Sequence, residues 1–174
     1  MKDTEVIEAL RGRLAVPTGR HLYGIIGAYA VLDRFAGKLA QARTSADRRF
    51  PKPLSVNRGI LEAIPDAEFR QLVADEAKRP EPTAAHVARA FESFLRSILK
   101  GKGPVILTDL ELVFAYHLEL SVLRSLAADE DQVILLLPGK REGGRVVMFA
   151  EVGESNTMLP SNLIADNHLW ELKD

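Results

Sequence analysis

Two acidic side chains, Asp109 and Glu111, follow an apolar run and are the residues of this chain best placed to do chemistry. The run from Val105 to Leu107 ends abruptly at Thr108, a pattern typical of a buried parallel strand that delivers acids to the carboxyl edge of a sheet. An acid there can hold the Mg²⁺ ion of a nucleotide, and a second acid can orient the attacking water. The alternative is that Asp109 caps the helix that follows.

A nucleotide site also needs a loop that binds phosphate. The complete pattern Gly-x₄-Gly-Lys-Ser/Thr provides a lysine for the phosphates and a hydroxyl for Mg²⁺, and it is absent from the sequence. Gly24 and Gly27 lie where such a loop would follow a first strand, without the lysine or the hydroxyl. They predict a weakened anion-binding turn at a helix start, or alternatively small residues that allow close packing.

Other reactive groups are scarce. Cysteine is absent, which excludes disulfides, thiol catalysis and thiolate metal sites. The four histidines show no zinc-ligand spacing, so we expect ordinary surface histidines and no metal site. No Gly-x-Ser-x-Gly elbow is present, which argues against an α/β-hydrolase.

The densest basic stretch lies in residues 43–58. Arginines in a loop can contact the phosphate backbone of double-stranded DNA without reading bases. The alternative is a solvated loop. The residues concerned are Arg43, Arg48, Arg49, Lys52 and Arg58.

Composition predicts one domain with a proper core over residues 1–174. Within this domain, a helical segment is expected at about 1–16 and a tail at about 152–174. The chain has 174 residues, of which 47% are hydrophobic, and its formal net charge of −1 favours neither nucleic acid nor an anionic membrane. No apolar stretch is long enough to span a bilayer, and the start lacks the apolar stretch of a signal peptide. We therefore expect a soluble cytoplasmic protein that does not bind membranes.

Hydrophobic periodicity predicts alternating strands and helices. Strands are expected at 54–57, 105–108, 132–137 (ending at Pro138-Gly139) and 145–151, with a hairpin turn at 142–144; helices are expected at 3–14, 66–77, 84–99 (capped by Thr83) and in the second half of 112–127. Residues 21–42 are either a strand followed by a helix or one helix, and residues 169–172 are either a short strand or an interaction tail. The strand-helix-strand unit across 105–137 requires a parallel sheet, which predicts a three-layer α/β fold with a mainly parallel sheet.

The carboxyl-terminal half resembles the BrxF family, the small P-loop-type component of BREX bacteriophage-exclusion systems. The resemblance rests on residues 105–114, 123–126, 132–139 and 144–153, and residues 54–57 look like the second-strand region of that family. It implies a P-loop NTPase-like fold, ATP with Mg²⁺, and action with a DNA methyltransferase, a large ATPase and a phosphatase-like subunit to restrict phage. The chain departs from the family in two ways: the phosphate loop is missing, and the family's strand-end acid aligns with Thr108 rather than with Asp109.

These observations lead us to expect a non-catalytic accessory subunit or adaptor of a phage-defence complex, with a degenerate P-loop and no cofactor. Two alternatives are kept. The first is an active ATPase in which Arg20 or Lys38 supplies the missing positive charge. The second is a DNA-binding module that uses residues 43–58. Protein partners are expected for the accessory subunit or adaptor. The oligomeric state is left open, and a homo-oligomer is one of the options.

Overall fold

Strands and helices alternate through most of the computed structural model, which describes residues 1–152 and 157–173. The strands are β1 (Leu22–Gly27), β2 (Leu54–Ser55), β3 (Val105–Thr108), β4 (Val133–Glu142), β5 (Arg145–Met148) and β6 (Leu169–Glu171). The helices are α1 (Asp3–Leu14), α2 (Tyr29–Gln41), α3 (Val56–Ala63), α4 (Asp66–Asp75), α5 (Pro80–Ile98), α6 (Glu111–Ala115) and α7 (Ser121–Leu126), and a single 3₁₀ turn covers Asp166–His168. None of these helices is long and apolar enough to cross a bilayer.

The strands form one mainly parallel sheet in the order β2-β3-β4-β1-β6. Every neighbouring pair along this order is parallel, while β5 pairs antiparallel with the second half of β4. Val105 lies opposite Val133 and Leu107 opposite Leu135. The predicted parallel arrangement of segments 105–107 and 132–137 is therefore confirmed.

Helices cover both faces of this sheet because the central strands are apolar on both sides. In β1, Leu22 and Ile26 pack towards α3, α5 and α7, whereas Tyr23 and Ile25 pack towards α1 and α2. The alternation follows from the two-residue period of a strand. A three-layer α/β fold is confirmed.

Residues 21–42 form a strand and then a helix. All six residues of β1 are buried, as expected for a central parallel strand that contacts helices on both faces. Ala28 keeps an extended backbone, and α2 begins at Tyr29. The carboxyl-terminal residues 169–171 join the other side of β1 as β6, so the strand alternative holds there.

The expected end of β4 at Pro138-Gly139 is wrong. β4 continues to Glu142 because it changes partners at this point: Pro138 is the last residue opposite β1, and Gly139 lies opposite Met148 of β5. Pro138 contributes its carbonyl oxygen, which accepts the Phe149 N–H at 2.7 Å. A Cβ on Gly139 would lie 2.4 Å from the Val147 carbonyl oxygen, so only glycine fits this close approach.

Four smaller expectations also differ from the structure. β2 ends at Ser55 rather than at residue 57, because α3 begins at Val56. β5 ends at Met148 rather than at residue 151, because Phe149 adopts a left-handed backbone with φ of 58°. Thr83 is not a cap: α5 already begins at Pro80, which needs no N–H partner in a first turn, and the Thr83 hydroxyl donates to the Arg79 carbonyl at 3.1 Å. His21 is not a surface histidine, since it is buried next to the start of β1.

Candidate functional site at the carboxyl edge of the sheet

The carboxyl ends of β1, β2 and β3 lie at the same edge of the sheet, and this edge collects the polar side chains that the sequence places after each strand. Asp109 directly follows β3 and has a left-handed backbone with φ of 54°. Its carbonyl oxygen accepts the Asn57 N–H at 3.0 Å, and the Thr108 hydroxyl donates to its carboxylate at 3.3 Å. Asp109 is therefore held at the turn between β3 and α6.

The alternative that Asp109 caps α6 is wrong. Leu110 occupies the N-cap position of α6, and its side chain makes no capping hydrogen bond. Asn57, from the first turn of α3, supplies the missing acceptor instead: its Oδ1 accepts the Leu112 N–H at 3.0 Å. The cap thus comes from another element.

Glu111 points into the same edge and is bound on both sides. One carboxylate oxygen accepts the Tyr29 hydroxyl at 2.9 Å, and the other accepts the Asn57 side-chain amide at 2.8 Å. The carboxylate therefore connects α2, α3 and α6. A group held by two protein donors is less available as a free base or metal ligand.

Tyr29 is a protonated donor in this arrangement. Burial, followed by the hydrogen bond to Glu111 and the negative charges of Glu111, Glu151 and Asp109, raises the pKa of Tyr29 to about 12. The phenol therefore keeps its proton at neutral pH. The three carboxylates make this edge electronegative around the start of α2.

The first turn of α2 already holds an anion from the chain itself. The Glu151 carboxylate accepts the Tyr29 backbone N–H at 2.9 Å. A helix start carries unsatisfied N–H groups and a partial positive charge, which attract phosphates and carboxylates. Glu151 occupies the place at which a phosphate would meet the turn between β1 and α2.

The two candidate glycines have different surroundings. Gly24 lies inside β1, where a Cβ would come within 2.5 Å of Leu169 Cδ1 and 2.8 Å of Ile164 Cδ1. Gly27 ends β1 beside the start of α2, and a Cβ there would meet only ordinary contacts, the nearest at 3.4 Å. Of the two, Gly27 alone lies at the turn.

Positive charges near this turn are few. Arg20 precedes β1 and bridges to Ala128 at the opposite edge, and Lys38 lies in the last turn of α2, where it contacts Asp3 at 2.6 Å. A cavity of about 270 Å³ beside the turn is lined by Gly27, Lys140 and Glu151, among others. Lys140 pairs with Glu142 at 2.6 Å.

The acids of this edge do not converge as metal ligands. In residues 1–152 and 157–173 no three His, Asp or Glu side chains are grouped so that they could hold a metal ion. Glu111 contacts Tyr29 and Asn57, whereas the Asp109 carboxylate contacts Thr108. The geometry instead supports a structural role, in which Glu111 connects α2, α3 and α6 by hydrogen bonds.

The basic residues of 43–58 are divided between the two ends of β2. Arg43, Arg48 and Arg49 belong to the turn before β2, and the Arg43 guanidinium donates to the Asp47 carbonyl at 2.8 Å. Lys52 is exposed just before β2, and Arg58 follows it in the first turn of α3. Arg48 and Arg49 line a cavity of about 370 Å³ with Lys102, but also with Asp129 and Glu130, so its charge is mixed.

Sequence reasoning missed Asn57, Tyr29 and Glu151 as parts of this edge. Tyr29 could have been found, since it is the first helical residue after an apolar strand. Asn57 follows Ser55, whose hydroxyl accepts the Arg58 N–H at 3.3 Å, and this capping signal was available. Glu151 carries no local signal because its partner is 122 residues away.

Comparison with known proteins does not extend these observations. No protein-family model matches the chain, and neither a curated protein nor a solved structure matches it at the significance threshold applied.

Proposed function

We propose that this chain is a non-catalytic, P-loop-like adaptor subunit of a bacteriophage-defence complex. The observation that supports the absence of catalysis is the Glu151 carboxylate on the first turn of α2. A nucleotide phosphate that approached this turn would have to displace Glu151. The displaced carboxylate would remain tethered nearby, at the end of the β4–β5 hairpin.

Electrostatics also oppose a triphosphate here. Phosphoryl transfer requires neutralisation of the developing negative charge, which P-loop enzymes achieve with a lysine and Mg²⁺. Tyr29 lies instead in the field of Glu111, Glu151 and Asp109. Two like charges about 4 Å apart repel by about 4 kcal/mol at an effective dielectric constant near 20.

The scaffold that surrounds this edge supports the P-loop-like part of the proposal. β1 leads through Gly27 into α2, and β3 delivers Asp109 to the same edge with only β4 between them. Neighbouring strands are about 4.8 Å apart, so the two strand ends are about 10 Å from each other. The assignment to phage defence is supported by the resemblance to BrxF alone, which covers β3, β4 and β5.

Titration calorimetry and an ATPase assay test the lack of catalysis. We expect no heat of binding for millimolar Mg-ATP and no turnover above that of Asp109→Ala. The variant Glu151→Gln keeps the shape of the side chain and removes its charge, so it shows whether this carboxylate alone excludes phosphate. Binding to the wild-type chain, with turnover that disappears in Asp109→Ala, would establish an active ATPase instead.

The assignment to a defence complex needs a separate test. We expect the tagged chain, purified from its native host, to retain a DNA methyltransferase or a large ATPase through size-exclusion chromatography. We also expect deletion of its gene to raise the plating efficiency of phage. Recovery of the chain alone, together with unchanged plating, would contradict the proposal.

A further inference from the structure

A second surface, formed by α3, α4 and α5, leaves apolar side chains uncovered. α4 has no buried residue, although Phe69, Leu72 and Val73 share one of its faces. Val73 is 60% exposed, Leu61 of the neighbouring α3 is 45% exposed and Phe69 is 39% exposed. Three large apolar side chains on adjoining helices form a patch, which differs from the single exposed residues of an ordinary surface.

These side chains line a groove between helices. Buried residues of α3 and α5 line it, together with Tyr116, which follows α6. We name this surface the α4 groove; its lining includes Ile60, Leu61, Ile64, Phe69, Leu72, Val73, Val87 and Tyr116. A groove between helices accepts the ridge of another helix, and the ten residues of α4 offer a length of about 15 Å for it.

The charge of α4 and of the end of α3 is predominantly negative, with Lys78 and Arg79 following α4. Residues 61–76 contain five acidic side chains and one basic side chain, Arg70, in a chain whose overall formal charge is −1. The acids are Glu62, Asp66, Glu68, Asp75 and Glu76. Tyr116 donates its hydroxyl to Glu76, which lines the groove, and His86 contacts Glu68 in α4. Glu62 and Asp66 are exposed to solvent, and Asp75 is partly buried.

This charge decides between occupants. A second copy of the chain would bring five acids against five acids, and like-charge contacts are unfavourable at an interface. An anionic lipid surface would be repelled for the same reason. A helix with apolar side chains on one face and lysine or arginine beside them satisfies both the groove and its rim.

We propose that the α4 groove binds an amphipathic helix of a partner protein, in which lysine or arginine flanks the apolar face. This inference rests on the adaptor function proposed above, since it names the chemistry of the partner. Apolar side chains at i, i+3 or i+4, and i+7 would contact Phe69, Val73 and Leu61. The basic side chains would meet Asp66 and Asp75.

Fluorescence anisotropy with labelled peptides of about four helical turns tests this inference. The basic peptide carries leucine at i, i+3, i+4 and i+7 and lysine elsewhere; the acidic peptide replaces each lysine by glutamate, and a scrambled peptide keeps the basic composition. We expect the basic peptide to bind at least about tenfold more tightly than either of the others. Added salt should weaken its binding, because exposed charges are screened.

Variants locate the binding surface. Val73→Ser should weaken the basic peptide about tenfold, whereas Val16→Ser, which removes a 49% exposed valine beyond α1, should leave its binding unchanged. The double variant Asp66→Lys with Asp75→Lys should reduce or invert the preference for the basic peptide. Val16, Asp66 and Val73 are exposed and Asp75 is only partly buried, so circular dichroism and the thermal midpoint should stay close to wild-type values.

Three results would overturn the inference: no binding of the basic peptide, equal binding of the basic and acidic peptides, or binding that Val73→Ser leaves intact. A dimer seen by light scattering and abolished by Val73→Ser would assign the groove to a second copy instead. The Mg-ATP titration of the same wild-type preparation reports on the proposed function separately. Failure of one measurement is therefore distinguishable from failure of the other.

Discussion

At the carboxyl edge, Asn57 holds two neighbours with one side-chain amide. Its Nδ2 donates to Glu111 at 2.8 Å, and its Oδ1 accepts the Leu112 N–H at 3.0 Å. Its backbone N–H also donates to the Asp109 carbonyl. The turn after β3 and the start of α6 are therefore positioned by a residue of α3.

We expect Asn57→Ala to lower the free energy of unfolding by about 1–3 kcal/mol, because it leaves the Leu112 N–H and one oxygen of Glu111 without their partner. Urea denaturation monitored by circular dichroism measures this change. Asn167→Ala is the matched control, since Asn167 is exposed, and it should change the free energy by less than about 0.5 kcal/mol. Equal effects of the two substitutions would show that the Asn57 contacts add little.

Two partly or fully buried histidines give the protein a pH dependence. His21 Nδ1 lies 2.8 Å from the Tyr23 hydroxyl, and the His168 ring lies 4.8 Å from the Tyr23 ring. Burial lowers the pKa of both histidines, and for His168 the charge of Arg13 acts in the same direction. The folded protein therefore holds these histidines neutral at a pH at which the unfolded chain begins to take up protons.

As the pH falls below the ordinary histidine value of about 6.5, the unfolded state binds more protons than the folded state, so the free energy of unfolding should decrease. The loss should stop once the pH has passed the lowered pKa values of the folded protein. Urea denaturation at a series of pH values measures it. His21→Gln should flatten the dependence, whereas His117→Gln, at an exposed position, should leave it unchanged.

At the scale of elements, β4 takes part in three ladders and changes partners along its length. Its first half pairs with β1 and β3, and its second half pairs with β5 alone. The β5 end then returns Glu151 to the start of α2. The hairpin thus determines what occupies the turn after β1.

Gly24→Ala and Gly27→Ala form a matched pair within β1. The added methyl at position 24 would crowd Leu169, Ile164 and Leu137 at 2.5–3.0 Å, so we expect a loss of about 1–3 kcal/mol in the free energy of unfolding. At position 27 the nearest atom would be 3.4 Å away, and we expect little change. Denaturation curves of the two variants decide the matter; a larger loss at position 27 would contradict this account.

The central elements were predictable because their signals are local. Val133 to Leu137 and Val105 to Leu107 are short apolar runs, a pattern typical of strands buried on both faces. The end of β4 was not predictable from Pro138-Gly139, because the partner that keeps the strand extended comes from β5. Asp109 and Glu111 were found at the correct edge, but the contacts that hold Glu111 come from α2 and α3. The contact of Glu151 depends on how the hairpin folds back, and no nearby residue reports it.

At the scale of the whole molecule, the two edges of the sheet carry different sets of charged side chains. The carboxyl edge carries Asp109, Glu111 and Glu151, while the opposite edge has Arg48 and Arg49 next to Asp129 and Glu130. On the described surface, the basic residues of 43–58 therefore do not form one continuous patch. Arg48 and Arg49 lie beside acidic side chains.

We expect no salt-dependent shift of a double-stranded DNA oligomer in a gel at low salt, because phosphate-backbone binding needs several converging cations. Fluorescence anisotropy with the same oligomer provides an independent measurement. A shift that weakens steeply with salt and disappears in Arg48→Ala with Arg49→Ala would establish a DNA-binding surface. An unchanged shift in that variant would place the binding elsewhere.

The two margins of the parallel sheet consist of very short strands. β2 contains two residues and β6 contains three, beside a β4 of ten. A growing fibril adds chains to a long, unpaired strand, which neither margin provides. The folded protein should therefore not add chains at these margins, and any fibrils should begin from chains that have first lost this sheet.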